Sequence, residues 1–162
     1  MVFISIIVAY DLNNGIGYEN RLPWNIKEDL KYFKNVTEGK TVIMGKNTYY
    51  SLPKYLLPKR RNIIITKTPG FYNKSTETYQ SLEKAIECLN IEDLGNNAFI
   101  IGGAQLYRYA LKHKLVDDIL ASEINSVYKC DTFFPLLLQG SVEELPCNSY
   151  NIKSNTVTFK RY

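Results

Sequence analysis

The chain has 162 residues, of which 45% are hydrophobic and 22% are charged, and its net charge is +4. This composition predicts one packed domain over residues 1–162 and argues against disorder. The charge is too small to indicate a nucleic-acid-binding face, and the single histidine, His113, excludes a histidine-rich metal site.

The cysteines and the N-terminal segment indicate a location for the protein. Cys88, Cys130 and Cys147 match neither a metal-binding spacing nor a disulfide framework, so we expect packing or surface thiols. The apolar run 2–9 is too short to cross a bilayer, and it carries neither a basic leader nor a cleavage site made of small residues. We therefore expect a cytoplasmic protein that has no membrane partner.

Strand-like and helical segments alternate along most of the chain. In order, the sequence predicts a strand at 3–9, a helix at 26–36, a strand at 41–44, a helix at 47–51, strands at 62–66 and 78–79, a helix at 81–89, a strand at 98–101, a helix at 104–112, and strands at 118–124 and 156–161. Strands that are apolar at every position are typical of a mainly parallel sheet covered by helices on both faces. Because no convincing helix separates the last two strands, we expect an antiparallel pair at one edge of this α/β fold.

Asp29 is the residue with the clearest chemical meaning. In a helix at 26–36, Ile26, Leu30 and Phe33 define the inward face, and Asp29 projects along the same face. Burying an unpaired carboxylate is costly, so such a group shifts its pKa or finds a hydrogen-bonding partner, which in an open cleft can be a ligand. The alternative is an ordinary favourable charge in the first turn of a helix.

Two predicted strands end in glycine and lead directly into helices, at Gly45 and at Gly102-Gly103. Glycine allows the backbone to approach a ligand closely, and the free N–H groups of a helix N-terminus favour phosphate. Lys40 and Asn47 stand where a P-loop needs glycine and Ser or Thr, and the second turn lacks the third glycine of the dinucleotide fingerprint. Neither a P-loop nor a standard Rossmann domain is indicated.

Taken in chain order, these segments resemble those of the dihydrofolate reductase family. The similar stretches are GIGYENRLPWN (15–25), EDLKYFKNVT (28–37), TVIMGKNT (41–48), LPKRRN (57–62), IGGA (101–104) with Tyr107, and DTFFP (131–135). The resemblance implies a dihydrofolate reductase-like fold and NADPH-dependent reduction of 7,8-dihydrofolate to 5,6,7,8-tetrahydrofolate, with a hydride passing to C6 and a proton to N5. It also implies a monomer that acts on a small molecule and requires neither nucleic acid nor metal.

The resemblance assigns catalytic roles to three residues. Asp29 is implied to be the ionisable group of the pterin pocket, Leu22 to control solvent entry from a mobile loop, and Trp24 to hold an ordered water. Ser122 is implied to support Asp29, and Arg60 to bind the substrate's glutamate carboxylate. Arg61 remains an alternative to Arg60, because the segment 51–60 is one residue longer than in short bacterial members. The complete implied substrate set is Val8, Ala9, Asp29, Leu30, Phe33, Leu52, Leu57, Arg60, Ile101 and Ser122.

The resemblance also implies a set of residues that bind NADPH. Gly45, Lys46 and Thr48 are expected at the phosphates, and Thr66 and Lys67 at the 2′-phosphate that distinguishes NADPH from NADH. The peptide bond between Gly102 and Gly103 is expected to be cis. The complete implied cofactor set is Ala9, Ile16, Gly45, Lys46, Asn47, Thr48, Thr66, Lys67, Ile101, Gly102, Gly103, Ala104, Gln105, Leu106 and Tyr107.

Two other functions share these features. A pyrimidine reductase of riboflavin synthesis has the same fold and uses NADPH, but its phosphoribosylated substrate has no glutamate tail for Arg60. A folate- or nucleotide-binding protein without catalytic activity would retain the same pockets. Turnover separates both from dihydrofolate reduction.

Overall fold

A computed structural model describes residues 1–68, 71, 74–92, 97–135 and 156–162 of the chain. Cys147 lies outside these residues. In chain order the described residues form β1 (Phe3–Tyr10), β2 (Gly15–Gly17), α1 (Lys27–Thr37), β3 (Thr41–Gly45), α2 (Lys46–Ser51), β4 (Arg61–Ile65), β5 (Glu77–Tyr79), α3 (Leu82–Glu92), β6 (Asn97–Gly102), α4 (Ala104–Lys112), β7 (Asp118–Ile124), β8 (Thr132–Phe133) and β9 (Val157–Arg161).

Seven of these strands form one sheet in the order β5-β4-β3-β6-β1-β7-β9. Every pairing is parallel except that of β7 with β9, which is antiparallel. This arrangement confirms the predicted α/β fold with a mainly parallel sheet and an antiparallel C-terminal edge. The predicted elements are all present, with ends that differ by up to three residues; α3, for example, continues to Glu92.

Helices cover both faces of the sheet, as predicted. Ile6 of β1 belongs to a buried cluster that includes Leu82 of α3 and Tyr107 of α4. The next residue, Ile7, faces the other way and packs in a cluster with Tyr32 of α1. Because neighbouring strand residues point to opposite faces, α3 and α4 cover one side of the sheet and α1 covers the other. No helix among the described residues is both long enough and apolar enough to cross a membrane.

Helix α1 presents a different face to the sheet from the predicted one. Its buried residues are Asp29, Tyr32 and Thr37, whereas the side chain of Leu30 is 46% exposed. The prediction that Leu30 faces the core was therefore wrong. Tyr32 supplies the main packing contact with the sheet, and this turns Leu30 toward open space beside the sheet.

A second, two-stranded sheet pairs β2 with β8, and the sequence analysis did not predict it. The buried carboxylate of Asp11 holds it in place by accepting hydrogen bonds from the N–H groups of Gly15 at 2.8 Å and Tyr128 at 2.9 Å. Desolvation raises the pKa of Asp11, but these bonds outweigh it and leave the pKa below its ordinary value. A Cβ at Gly15 would lie only 2.3 Å from Cys130 Sγ, so glycine permits this close packing.

The C-terminal strand is fixed to the rest of the sheet by a buried polar cluster. Asp118 at the start of β7 accepts hydrogen bonds from Ser5 Oγ of β1 and, at 2.7 Å, from Arg161 Nε of β9. The side chain of Asp118 is 4% exposed, so losing a partner there leaves a charge poorly compensated.

We expect Asp118→Asn to destabilise the fold by about 1–3 kcal/mol, because the charge-assisted bond to Arg161 is lost at a buried position. The matched control is Glu123→Gln, which removes the partly exposed ion pair with Lys160 between the same two strands and is expected to cost about 0–1 kcal/mol. Urea unfolding monitored by circular dichroism measures both free energies. Equal costs for the two variants would contradict the role of burial.

Candidate active site

A cleft of about 490 Å³ opens beside the carboxyl ends of the adjacent parallel strands β1 and β6. Most of the residues proposed from the sequence line it: Val8, Ala9, Ile16, Leu22, Asp29, Leu30, Phe33, Thr48, Leu52, Leu57, Ile101, Gly102, Gly103, Ala104, Tyr107 and Ser122. The structure thus brings the two glycine-ended strands, α1 and the segment around Leu22 to one place. Residues of the sequence-based set that do not line the cleft are Trp24, Gly45, Lys46, Asn47, Arg60, Thr66, Lys67, Gln105 and Leu106.

Asp29 is the acidic side chain among the described residues that line the cleft. It is 7% exposed, and Ser122 of β7, itself 2% exposed, forms a hydrogen bond with it. Burial raises the pKa of Asp29 above its ordinary value, and the Ser122 hydrogen bond opposes that rise without cancelling it. The group can therefore keep a proton at a pH where an exposed aspartate has lost it.

The first turn of α1 explains why an acid is tolerated at this position. Ile26 occupies the N-cap position without a side-chain hydrogen bond, so the first N–H groups of the helix have no side-chain cap. Glu28 and Asp29 both lie in this turn, where the helix dipole favours negative charge. The simple dipole role considered from the sequence is therefore real for both acids, but only Asp29 is buried and faces the cleft.

Trp24 lies behind the cleft instead of in its wall. It is 7% exposed, packs with Ile124 and Val157, and its ring centroid lies 5.3 Å from that of Tyr128. Its indole Nε1 is buried and has no hydrogen-bond acceptor among the described residues. A buried donor of this kind is well suited to binding a water molecule.

The turn at the end of β6 brings backbone unusually close to neighbouring groups. The peptide bond between Gly102 and Gly103 is cis, as expected from the resemblance. Gly102 has φ of +139°, and a Cβ there would lie 3.0 Å from Thr48 Oγ1. Glycine is therefore required on both conformational and steric grounds, and its backbone forms part of the cleft wall.

Helix α4 begins immediately after this turn, with Gly103 at the N-cap position and no side-chain cap. Tyr107 N donates to the carbonyl oxygen of Gly103 at 3.0 Å, so the three N–H groups before Tyr107 have no acceptor within the helix. Free N–H groups at a helix N-terminus bind phosphate well. These residues fit a phosphate-bearing dinucleotide, because a close-approach backbone and free donors adjoin the same cleft.

Tyr107 connects α4 to the central strand. Its hydroxyl donates a hydrogen bond to the carbonyl of Ile7 at 3.0 Å, and burial raises the pKa of this phenol. The side chain is 3% exposed, yet it reaches the wall of the cleft. Tyr107 therefore fixes the start of α4 relative to β1 and stays neutral throughout the physiological range.

Thr66 and Lys67, the residues proposed for the 2′-phosphate of NADPH, do not line the cleft. Lys46 Nζ donates to Thr68 Oγ1 at 3.2 Å, and Thr68 N donates to Thr66 Oγ1 at 3.1 Å. These bonds connect the start of α2 to the segment that follows β4. Lys67, between the two threonines, is exposed.

The adjacent residues Arg60 and Arg61 have different surroundings. Arg61 forms hydrogen bonds with both Glu77, at 2.5 and 2.7 Å, and Glu92, and these carboxylates raise its pKa. Arg60 donates to Thr37 Oγ1 at 3.0 Å, and its guanidinium carbon lies 5.9 Å from the ring centroid of Phe33, which lines the cleft. Burial lowers the pKa of Arg60, and the charge of Glu38 opposes this effect.

Sequence reasoning did not identify several residues of the cleft wall. Two of them, Asn20 and Arg21, belong to a tight hairpin in which Glu19 and Asn20 have φ of 49° and 60°. The signal that could have revealed this turn is Asn20, because asparagine is enriched in such left-handed positions. The other unpredicted lining residues are Ile7, Gly17, Tyr32, Ser51, Pro53 and Thr132. No group of three or more His, Cys, Asp or Glu side chains suited to a metal ion occurs within the described ranges.

Comparisons with known proteins agree with this geometry. A sequence model of the family described as dihydrofolate reductase matches residues 3–160. The dihydrofolate reductase of Neisseria gonorrhoeae is 42% identical over 160 residues, covering 98% of this chain and 95% of that protein. The dihydrofolate reductase of Staphylococcus aureus strain Mu50 is 37% identical over 132 residues, covering 82% of this chain and 77% of that protein.

A solved structure agrees with the fold. Dihydrofolate reductase from Enterococcus faecalis, complexed with NADP(H) and RAB-propyl, superposes with a TM-score of 0.84, covering 99% of this chain and 95% of that chain at 24% identity. At this identity the likeness concerns the fold. Together, the family match and the two close relatives confirm what the sequence segments predicted: the chain belongs to the dihydrofolate reductase family, whose members are NADPH-dependent oxidoreductases that reduce dihydrofolate.

Proposed function

We propose that the cleft binds 7,8-dihydrofolate and NADPH side by side and that Asp29 orients the pterin ring and promotes its protonation. The observation that carries this proposal is the position of Asp29, a buried carboxyl group with a raised pKa in the same cleft as the Gly102–Gly103 turn. An acid with a raised pKa in a cleft is a physical marker of a functional site. When bound, NADPH supplies the hydride that reduces C6 of the pterin.

Asp29 is suited to binding the edge of a flat heterocycle. Its two oxygens can accept a pair of parallel hydrogen bonds from the amino and ring N–H groups of a pterin, and such bidentate bonds fix orientation. Ser122 holds the carboxyl group in place from the sheet side. With the carboxylate anchored, the pterin ring would lie in the same cleft as Ile101 and Gly102, which end β6.

Leu22 and Trp24 have separate parts in the supply of the proton to N5. The side chain of Leu22 is 50% exposed and lines the cleft, so a movement of its loop can admit or exclude water. The free indole N–H of Trp24 is suited to hold one water behind the pterin site. We assign the proton to water that Leu22 admits and Trp24 orders, with Asp29 setting the ring's readiness to accept it.

Apolar side chains enclose the middle of the substrate. Val8 and Ala9 at the end of β1 line the pterin end of the site. Leu30 and Phe33 come from α1, and Leu52 and Leu57 from the segment after α2; these four would grip the ring and the aminobenzoyl group.

We assign the glutamate carboxylate of the substrate to Arg60 instead of Arg61. The guanidinium of Arg61 is already engaged by two carboxylates, so binding a third anion there would first require breaking an ion pair. Arg60 lies beside Phe33 at the cleft and makes its side-chain bonds to neutral oxygens of Pro58 and Thr37. A planar guanidinium in this position can bind a carboxylate through two donors.

The residues proposed to bind NADPH fall into those that line the cleft and those that lie beyond its wall. Ala9, Ile16, Ile101 and Tyr107 lie in its wall and would contact the nicotinamide. The two helix starts would meet the diphosphate, and Thr66 and Lys67, beyond the wall, would meet the 2′-phosphate. The residues assigned to the helix starts are Gly45, Lys46, Asn47 and Thr48 at α2, and Gly102, Gly103, Ala104, Gln105 and Leu106 at α4.

We further propose that the protein acts as a monomer in the cytoplasm. Of the cysteines in the described ranges, Cys88 and Cys130 are free thiols, which fits a reducing compartment.

Purified protein is expected to oxidise NADPH when dihydrofolate is present and not when it is absent. Asp29→Asn is expected to lower the rate at neutral pH by about 10²–10⁴-fold, because the amide cannot perform the acid–base role of the carboxyl group. Absorbance of NADPH at steady state measures both. Consumption of NADPH with the phosphoribosylated pyrimidine in place of dihydrofolate would instead support the riboflavin alternative, and tight binding without turnover would support a binding protein.

The raised pKa of Asp29 makes a separate prediction about stability. Since the fold disfavours the charged form, the contribution of wild-type Asp29 to stability is fully present below its unfolded pKa of 3.8 and is lost as pH rises through the native pKa. Asp29→Asn stays neutral at every pH. The variant should therefore match wild type in acid and become progressively more stable than wild type toward neutral pH. Denaturant unfolding at several pH values checks this, and a constant difference between the two proteins would contradict it.

Lys67→Ala is expected to weaken NADPH binding much more than NADH binding, by about 1–3 kcal/mol, because only NADPH carries the 2′-phosphate. Calorimetric titration with each cofactor gives the two affinities. Lys74→Ala, which removes an exposed lysine from the segment before β5, is the control and should change neither affinity. An equal loss for both cofactors in Lys67→Ala would remove this residue from the role.

A further inference from the structure

Arg21 occupies a position in the cleft wall whose backbone is held on both sides. Its N–H donates to the Tyr18 carbonyl at 3.0 Å, and its carbonyl accepts from Tyr18 N at 2.9 Å, which closes a tight hairpin. Within this hairpin, Glu19 N donates to Asp131 Oδ2 at 3.0 Å. The hairpin is therefore attached to the segment around β8, and the side chain of Arg21 starts from a fixed point at the cleft.

The hairpin also reaches the cofactor side of the cleft. Asn20 Nδ2 donates to the carbonyl of Asn47 in the first turn of α2 at 3.0 Å. Thr48, the residue after Asn47, lines the cleft together with Gly102 and Gly103, which precede α4. The rim that carries Arg21 therefore adjoins the start of α2, on the side of the cleft where the phosphate-binding features lie.

The charges of the cleft wall are few and of opposite sign. Among the described residues that line it, Arg21 and Asp29 carry charge. Asp29 is buried, whereas Arg21 is exposed at the rim, and no hydrogen bond or ion pair engages the Arg21 guanidinium within the described part of the chain. A guanidinium in this state keeps its planar set of donors available for an anion entering the cleft.

Four anionic groups of the two ligands could meet this guanidinium: the two carboxylates of the substrate's glutamate tail, and the 2′-phosphate and the diphosphate of NADPH. The glutamate tail is assigned to Arg60, beside Phe33 on α1, and the 2′-phosphate is assigned to Lys67, beyond the cleft wall. The diphosphate remains, and it must pass the free N–H groups at the start of α4, which adjoin the cleft. Of these anions, the diphosphate is the one that the assignments place within the cleft and near the Asn20–Asn47 contact.

We propose that Arg21 is a cofactor-binding residue whose guanidinium contacts the diphosphate of NADPH from the rim of the cleft that adjoins the start of α2. This inference rests on the proposed function. It adds a positively charged side chain to the proposed diphosphate site, which otherwise consists of the residues at the starts of α2 and α4. Because NADH carries the same diphosphate, Arg21 contributes affinity for both cofactors and does not discriminate between them.

The test measures equilibrium binding to the full-length protein by calorimetric titration, without turnover. Arg21→Gln is expected to weaken NADPH and NADH by the same factor, about tenfold to a hundredfold, as the loss of a charge-assisted contact predicts. Arg21→Lys should retain part of the affinity, since it keeps the charge but not the planar donor set. Adenosine 2′-phosphate, which lacks the diphosphate, should bind all three proteins equally.

Lys129→Gln is the matched control. It removes the same charge from a residue whose Nζ lies 5.0 Å from the ring centroid of Tyr18 in the same hairpin, but which does not line the cleft. The affinity of this variant for both cofactors should equal that of wild type. An equal loss in Lys129→Gln and Arg21→Gln would mean that net charge or hairpin integrity is responsible, and the inference would be overturned.

Other results would overturn it as well. If Arg21→Gln binds NADPH with wild-type affinity, or if only NADPH or adenosine 2′-phosphate is weakened, Arg21 does not contact the diphosphate. A rise confined to KM for dihydrofolate would place Arg21 at the substrate. Wild-type turnover, measured in parallel, separates these outcomes from a failure of the proposed function, which would show as no dihydrofolate-dependent oxidation of NADPH by any of the proteins.

Discussion

The burial of one carboxyl group, that of Asp29, is the constraint on which the rest of the site depends. A charge at this position is disfavoured by its surroundings, and the Ser122 hydrogen bond compensates only part of that cost. The fold tolerates this because the group faces a cleft in which a ligand can supply hydrogen-bond donors. Stability is therefore given up at the place where a pterin would be recognised, which is typical of functional sites.

The parallel sheet explains how the other half of the site comes to face this acid. β1 and β6 are adjacent and run in the same direction, so the residues at their carboxyl ends are neighbours. Ligands of open α/β sheets commonly bind at these ends. The turn at Gly102–Gly103 places close-approach backbone there, and α4 begins immediately afterwards with free N–H groups. One topology therefore brings the buried acid and the proposed phosphate-binding turn to the same cleft, with α1 and α4 covering opposite faces of the sheet.

The sequence predicted the centre of the sheet because β1, β3 and β6 contain continuous apolar runs, and it predicted α4 with the bounds that the structure has because apolar residues recur there at helical spacing. The two short strands β2 and β8 have no comparable signal. Three and two residues are too few to show a period, and their pairing depends on the buried carboxylate of Asp11, whose partner Tyr128 lies 117 residues away along the chain. Contacts of that kind arise from tertiary structure and leave no local pattern.

In the candidate site, too, features with a local sequence pattern could be predicted, and features that depend on tertiary contacts could not. Asp29 could be identified because an acid on an apolar helix face is locally inconsistent, and the glycine turns because they end strong strands. The orientation of α1 could not be predicted from the sequence, because the packing of Tyr32 on the sheet determines it and leaves Leu30 exposed. No local pattern identifies Arg21 as a cleft residue, because its position in the wall depends on a hairpin held by Asp131 and on the contact of Asn20 with α2.

Direct titration of the Asp29 carboxyl group tests the central claim most closely. The carboxyl carbon resonance can be followed by NMR across pH in protein labelled at aspartate, with Asp29→Asn used to assign the signal. The account predicts a midpoint clearly above the ordinary value of 3.8, because burial outweighs the Ser122 hydrogen bond. A midpoint at or below that value would mean that the carboxylate is well solvated or fully paired, and the proposed role of Asp29 in the cleft would be contradicted.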